Sequence, residues 1–396
     1  MHSFTPSCPS SLLRRLCGRA FYHSDGGISG GLLAASKLTT RILGSTTPGL
    51  PTPAWMRNGH GLRTLPPTCL CSMIAHRLWM NSWFVLRSIT SGMWNRWIRR
   101  GIEYCPAVLR ILLPGSDLGF KLPPMARSSF HRLKRLHLLN VDLDGQFTCL
   151  LSTFPVMEDL DLGACKFSGD CSQGITFSTL KKLVLNRCEN NTTRPMVIMA
   201  PSLSCFDLSY GCYLAGIALS KMDSLVEAMI EITEDQTLSQ NTQRELLGSL
   251  FDVTRLDLSG FETKVLLNSK SDPFPIFRNM RTLCLNNCFL DEYDLNDKLE
   301  ALGSFLQNTP CLEKLILEFC MFISDPDYEW KIERKNITLQ RQNRETLQCC
   351  QLKLIEVLYD HDHDHQLIEV LWWFGRSIPD ANIKLTKTFS FASCRV

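Results

Sequence analysis

LKKLVLNRC, residues Leu180–Cys188, has apolar side chains at its first, fourth and sixth positions and a cysteine at its ninth. The same frame recurs on both sides of it. Upstream stand LKRLHLLNV from Leu133 and MEDLDLGAC from Met157. Downstream follow LSCFDLSYG from Leu203, LVEAMIEI from Leu225, VTRLDLSGF from Val253, MRTLCLNNC from Met280 and LEKLILEFC from Leu312. Successive starts lie 24, 23, 23, 22, 28, 27 and 32 residues apart. Weaker copies flank the eight, VLRILL at Val108 and LKLIEV at Leu352.

This is the leucine-rich-repeat pattern, L-x-x-L-x-L-x-x-N/C, whose usual period is about 20–29 residues. Positions 4 and 6 alternate with polar residues, as a half-buried strand requires. One repeat cannot bury its apolar face alone, so copies stack and their strands line up as a parallel sheet. The expected fold is therefore an α/β leucine-rich-repeat solenoid, a horseshoe of about ten strand segments on the concave side, with an irregular N-terminal region. Helix-forming stretches such as Gln243–Leu250 and Lys298–Leu306 are expected on the convex side. Cys165, Cys188, Cys288 and Cys320 all occupy position 9, where a small, weakly polar side chain packs against its equivalents, so they read as structural.

Charge divides the chain. The formal net charge is +3 over 396 residues. Residues 1–102 hold twelve Lys/Arg and a single acid, Asp25, a net of +11, which leaves −8 for the remainder. The head, 1–60, is rich in Ser, Thr, Gly, Pro and Arg. It reads as a disordered tail or start-site artefact, with an organelle transit peptide and a nucleic-acid arm as the alternatives. The bases are scattered and aromatic interleaving is sparse, so no nucleic-acid partner is expected. Trp94, Trp97, Ile98 and Ile102 follow helical spacing and are expected to cap the solenoid.

Several function classes fall away. No apolar run approaches the roughly 18 residues of a spanning helix, so no membrane association is expected. Arg14, Arg15 and Arg19 break the one candidate secretory run, which makes the eighteen cysteines reduced thiols and argues for a cytoplasmic or nuclear location, with organellar import as the minor alternative. The missing signal peptide also sets aside an extracellular receptor domain. Cys69-x-Cys71 and Cys349-Cys350 are poor ligand geometries, and the run Asp360-His361-Asp362-His363-Asp364-His365 reads as a solvated loop before a helix near Gln366, so no metal or cofactor is expected. Phosphate-loop, nucleophile-elbow and H-E-x-x-H motifs are missing, and no catalytic role is expected.

The segments WNRWIRRGIEYCPAVLRILL (Trp94–Leu113), SLVEAMIEI (Ser224–Ile232), DLSGFETKVLL (Asp257–Leu267), LIEVLWWF (Leu367–Phe374) and IKLTK (Ile383–Lys387) together resemble plant F-box/LRR proteins over about residues 92–388. That resemblance implies a substrate-binding subunit of an SCF-type (cullin–RING) ubiquitin ligase, in which an F-box of about 40 residues binds the small adaptor and the repeats hold a protein substrate. In this chain the F-box is degenerate or missing. Leu65, Pro66, Trp79 and Trp83 are its candidate adaptor-binding remnants, but the acids that follow Leu-Pro in the family are lacking and Pro67 disturbs the helix start. The expected organisation is a tail at 1–60, an F-box remnant at 61–91, repeats at 92–388 and a short tail at 389–396. The alternative is a repeat protein that binds its partner without coupling it to ubiquitination.

Positions 3, 5 and 7 of each repeat point away from the core, because strand neighbours alternate. The partner-binding candidates there are Arg135, His137, Asp159, Asp161, Lys182, Asn186, Asp207, Glu227, Glu231, Arg255, Asp257, Asn286, Lys314, Glu318 and Glu356. Eight acids face four bases, so a moderately acidic face is expected, suited to a partner with a basic patch.

Overall fold

A computed structural model describes residues 81–85, 95, 98–99, 101–113, 120–123, 130–169, 174–220, 222–232, 238–267, 275–321, 351–359 and 364–387. All of them fall within one compact unit, Cys71–Val396. Leu65, Pro66 and Trp79, the basic head, Trp94 and Trp97, and Asp360–His363 lie outside the described residues.

The apolar frame does what stacking demands. Twelve strands form one wholly parallel sheet among the described residues. They are β1 (Asn81–Val85), β2 (Val108–Leu112), β4 (Arg135–Leu139), β6 (Asp159–Gly163), β9 (Lys182–Asn186), β12 (Cys205–Ser209), β15 (Glu227–Glu231), β16 (Arg255–Ser259), β17 (Thr282–Asn286), β18 (Lys314–Glu318), β19 (Leu354–Tyr359) and β20 (Asn382–Lys387). All ten expected segments are strands, and β1 and β20 extend the sheet at either end. β1 falls inside the stretch 61–91 and carries Trp83, so the sheet starts ahead of residue 92.

Neighbouring strands pair at identical repeat positions throughout. Leu183 stands beside Leu160 and Phe206, and Leu256 beside Ala228 and Leu283. Position 1, 4 and 6 side chains therefore stack into continuous buried rows such as Leu138, Leu162, Leu185, Leu208, Ile230, Leu258, Leu285, Leu317 and Val357, each 3 % exposed or less. Ile98 and Ile102 join that core at 0 % and 3 % exposed, but they belong to the segment between β1 and β2 and so do not cap the end of the sheet.

Two corners repeat with the strands. Where the chain enters, the position 2 carbonyl accepts two successive N–H groups of the next repeat; Lys181 O takes those of Ser204 at 2.9 Å and Cys205 at 3.0 Å. Where it leaves, position 8 is left-handed in seven repeats, at Asn140, Ala164, Arg187, Tyr210, Gly260, Asn287 and Phe319. Only Gly and Asn adopt that conformation cheaply. Its N–H then reaches the position 7 carbonyl of the following strand, as Arg187 does to Ser209 at 2.7 Å. The position 9 cysteines come next. Each donates its S–H to the position 6 carbonyl of the preceding repeat: Cys165 to Leu138 (3.6 Å), Cys188 to Leu162 (3.3 Å), Cys288 to Leu258 (3.6 Å) and Cys320 to Leu285 (3.2 Å). Burial pushes the thiols of Cys188 and Cys320 well above the usual range, so both stay protonated and unreactive.

The convex side differs along the molecule. Short strands return the chain through most of the first repeats: β3 (Phe120–Lys121), β5 (Val141–Leu143), β7 (Lys166–Phe167), β10 (Glu189–Asn190) and β13 (Cys212–Tyr213) form one sheet, and β8 (Ile175–Thr176), β11 (Met196–Met199) and β14 (Ile217–Ser220) another. One helix of seven residues, α1 (Gly145–Leu151), interrupts them. Later returns coil into α2 (Gln240–Gly248), α3 (Thr263–Leu266), α4 (Leu295–Gln307) and α5 (Asp364–Ser377). The helices expected at Gln243–Leu250 and Lys298–Leu306 are thus present, but a helical back in every repeat is not. Polar residues set the helix starts: Ser239 Oγ accepts from Thr242 N at 3.1 Å, and Asp294 Oδ1 from Asp297 N at 2.9 Å. Leu299, Leu302, Phe305 and Leu306 of α4 face the core at 2 % exposure or less.

Candidate functional site

Because the register never slips, the concave face is a grid whose columns are repeat positions. The first column runs Val108, Arg135, Asp159, Lys182, Cys205, Glu227, Arg255, Thr282, Lys314, Leu354 and Asn382. The central column is Trp83, Arg110, His137, Asp161, Val184, Asp207, Met229, Asp257, Cys284, Ile316, Glu356 and Lys384. The third column places Asn186, Glu231, Asn286 and Glu318 in line with Ser209 and Ser259. All the partner-binding candidates thus share one face.

Charge alternates across the strands. Glu356 lies between Lys314 (2.8 Å) and Lys384 (3.2 Å), and the hydrogen bond from Lys314 holds its carboxyl below the usual range. Along the entry corner Glu158 stands between Lys134 (3.7 Å) and Lys181 (3.9 Å), and Glu313 between Arg281 and Lys353. His137 Nδ1 lies 3.8 Å from Asp161 Oδ2. Burial raises the Asp161 carboxyl, and His137 opposes that shift.

The acidity of the face is not spread evenly along it. On β2, β4, β6 and β9 three bases meet two acids, and on β17 to β20 the columns balance at two of each. The acids collect on β12, β15 and β16, where Asp207, Glu227, Glu231 and Asp257 face one base, Arg255. Among them only Glu227 is exposed. Asp257 is 6 % exposed with Arg255 Nη2 3.0 Å away, and Asn286 is 8 % exposed. Side chains on strands about 5 Å apart crowd one another, and a short aspartate flanked by Met229 and Cys284 is covered by its neighbours. Asp207 accepts from Ser209 Oγ at 2.7 Å. Tyr210, 39 % exposed on the exit rim, donates its hydroxyl to Glu231 and lies 5.5 Å under the Arg187 guanidinium.

Arg110, Val184, Met229, Cys284, Ile316 and Lys384 belong to the central column and were not singled out from sequence. Val184, Met229, Cys284 and Ile316 stand at position 5 of a recognised copy, where only polar side chains were read, whereas Arg110 lies in the flanking copy VLRILL, whose first residue Val108 the register sets at position 3. Among the described residues no group of three or more His, Cys, Asp or Glu is placed to hold a metal ion, and no helix is long and apolar enough to cross a membrane.

A regular parallel sheet with a broad polar front defines the class: a leucine-rich-repeat domain. More particularly, residues 118–369 match the family described as At1g61320/AtMIF1, LRR domain, and the chain belongs to that family. It is similar to the MEIOTIC F-BOX protein MOF of Oryza sativa subsp. japonica, 29 % identical over 324 residues, which is 74 % of this chain and 66 % of that protein. It is also similar to the probable FBD-associated F-box protein At1g32375 of Arabidopsis thaliana, 30 % identical over 197 residues, or 48 % of this chain and 42 % of that protein. The chain thus spans just under two thirds of the first relative and less than half of the second. No solved structure matches.

Proposed function

We propose that the chain is a non-catalytic recognition subunit that holds a protein partner on its concave face and presents it to an SCF-type (cullin–RING) ubiquitin ligase. The observation that carries the recognition half is the in-register polar grid on a family-matched repeat sheet. The coupling to ubiquitination draws on the likeness to two plant proteins named as F-box proteins. In this reading Leu65, Pro66 and Trp79 contact the adaptor subunit, and the protein works in the cytoplasm or nucleus. Trp83 is set apart from them because it belongs to β1.

The test is co-purification of the full chain with the ligase's adaptor subunit, beside a variant carrying Leu65→Ala, Pro66→Ala and Trp79→Ala. Binding by the full chain and at least a tenfold loss in the variant supports adaptor coupling. No binding by either leaves a repeat module that captures its partner without delivering it.

A further inference from the structure

The buried rows of the sheet run out at β20. Ile383 and Leu385 stand in register beside Ile355 and Val357. Those two are 0 % and 3 % exposed, whereas Leu385 is 43 % exposed and Ile383 only half-buried. β20 ends the twelve-stranded order, so among the described residues its outer edge has no strand beside it. An edge strand directs every second N–H and C=O away from its one neighbour, ready to pair with an added strand. Between the two apolar residues, Lys384 ends a run of alternating charge in which Glu356 stands between Lys314 and Lys384. The Lys384 side chain is 64 % exposed although its Nζ lies 3.2 Å from Glu356.

A strand laid on that edge continues the buried rows only if it is apolar beside Ile383 and Leu385. It continues the charge alternation only if it is acidic beside Lys384. β19 has this pattern, since Ile355, Glu356 and Val357 meet the same three residues from the other side. We propose that the β20 edge is a docking site for an extended segment of a partner protein that carries apolar, acidic and apolar side chains in succession. The pattern reads the same in both directions, so the segment can run parallel or antiparallel to β20. Like charges opposed across a strand pair are destabilising, and edge lysines keep identical edges apart. A second copy of the chain therefore does not fit, because antiparallel pairing of two β20 strands with Ile383 against Leu385 sets Lys384 against Lys384. Thr388–Val396, which follow β20 in the sequence, contain no acid and carry Arg395. Docking at this edge is separate from adaptor binding and needs no coupling to a ligase.

Fluorescein-labelled nonapeptides with Ile-Glu-Val at the centre and Ser and Thr flanks are titrated into the full chain by fluorescence anisotropy, against matched peptides with central Ile-Lys-Val or Ser-Glu-Ser. The Ile-Glu-Val peptide binds at least tenfold more tightly than either. Lys384→Glu inverts the preference between the Glu and Lys peptides, and Leu385→Ser weakens Ile-Glu-Val binding about fivefold. Lys264→Glu makes the same charge change at an exposed position of α3 and alters that binding less than twofold. Thermal melts report whether the fold is kept, and Lys384→Gln, which erases the preference instead of inverting it, serves if Lys384→Glu does not fold. No Ile-Glu-Val binding, equal binding of the three peptides, or equal losses for Lys384→Glu and Lys264→Glu each overturns the docking site. A tenfold gain in peptide affinity with Phe389→Ser and Phe391→Ser assigns the edge to the residues that follow it. A dimer in analytical ultracentrifugation that Leu385→Ser dissociates assigns it to a second copy, and either of these results overturns the proposal as well.

Discussion

Between Leu133 and Leu225 the strands recur every 22–24 residues, and every return carries short strands of two to four residues, with one helix, α1, among them. Between Leu225 and Leu312 the interval grows to 27–32, and each return coils into a helix. A strand advances about 3.3 Å per residue and a helix about 1.5 Å. The four residues of β14 and the nine of α2 therefore cover nearly the same distance, about 13 Å. About five extra residues are enough to change the back of a repeat from strand to helix while the front keeps its register. The front answers to the apolar frame, and the back to residue count.

This comparison can be attacked from several directions. The largest contrast is chemical. Cys149 is exposed, whereas Cys188 in the strand-backed half and Cys320 in the helix-backed half are sealed in the core with raised pKa values. Alkylation under native conditions labels Cys149 at least a hundredfold faster than either. In rising denaturant, the order in which Cys188 and Cys320 become labelled reports which half opens first, and simultaneous labelling means the two backs support one cooperative unit.

Core truncation comes next. Ile198 on β11 is 1 % exposed and Leu302 on α4 is 0 % exposed. Ile198→Ala and Leu302→Ala are each expected to cost about 2–5 kcal/mol in equilibrium unfolding followed by circular dichroism. A loss below about 1 kcal/mol at either site would show that its back does not seal the core.

The exit corner gives opposite signs. Gly260 has φ +77°, and a Cβ there would sit 2.0 Å from the Ile232 carbonyl oxygen, so Gly260→Ala loses about 2 kcal/mol or more. Ala164 has φ +47° at the equivalent position, and Ala164→Gly is neutral or gains up to about 1 kcal/mol. Matching signs from the two melts would refute a shared left-handed corner.

Helix starts separate the halves more gently. Asp294→Ala removes the cap of the thirteen-residue α4 and costs about 1 kcal/mol, while Asp144→Ala at the seven-residue α1 costs less.

The smallest effect is a pH slope. The Glu356 carboxyl is held below its ordinary 4.5 by Lys314 and Lys384. A depressed acid stabilises the fold above its unfolded value and loses that contribution as pH falls through the lower folded value. Glu356→Gln therefore costs under about 1 kcal/mol near neutrality and flattens the stability profile below about pH 4.5. An unchanged acid limb would show that the Lys314 and Lys384 contacts do not hold the charge.

Ten of the twelve strands were legible because each pairs an apolar frame with a regular interval. β20 was missed as a repeat because Ile383 and Leu385 carry the alternation without a following copy to set the frame. β1 lies in a stretch that also carries an F-box-like pattern and lacks the full apolar frame of the other copies. The short back strands are two to four residues long, too short for any period to show. At the site, the charged columns followed directly from position number. The gathering of acids on β12, β15 and β16 did not, since it joins residues from three repeats and exists only once their register is known. The burial of Asp257 depends on Met229 and Cys284, 28 and 27 residues away on the adjoining strands, which no local pattern carries.

The carboxylates at Glu158, Glu313 and Glu356 each sit between cations donated by the repeats before and after. That arrangement constrains how such an array can lengthen. A duplication of one of these charged repeats would set Glu beside Glu or a cation beside a cation on adjoining strands, and like charges directly opposed are destabilising. Copying two adjacent repeats together keeps every carboxylate between its cations. Growth within the charged repeats is expected to proceed by pairs, and an odd insertion there should be accompanied by a charge change within one repeat of the new junction, whereas the repeats of Ser204, Val226 and Thr254 take a single insertion freely at this corner.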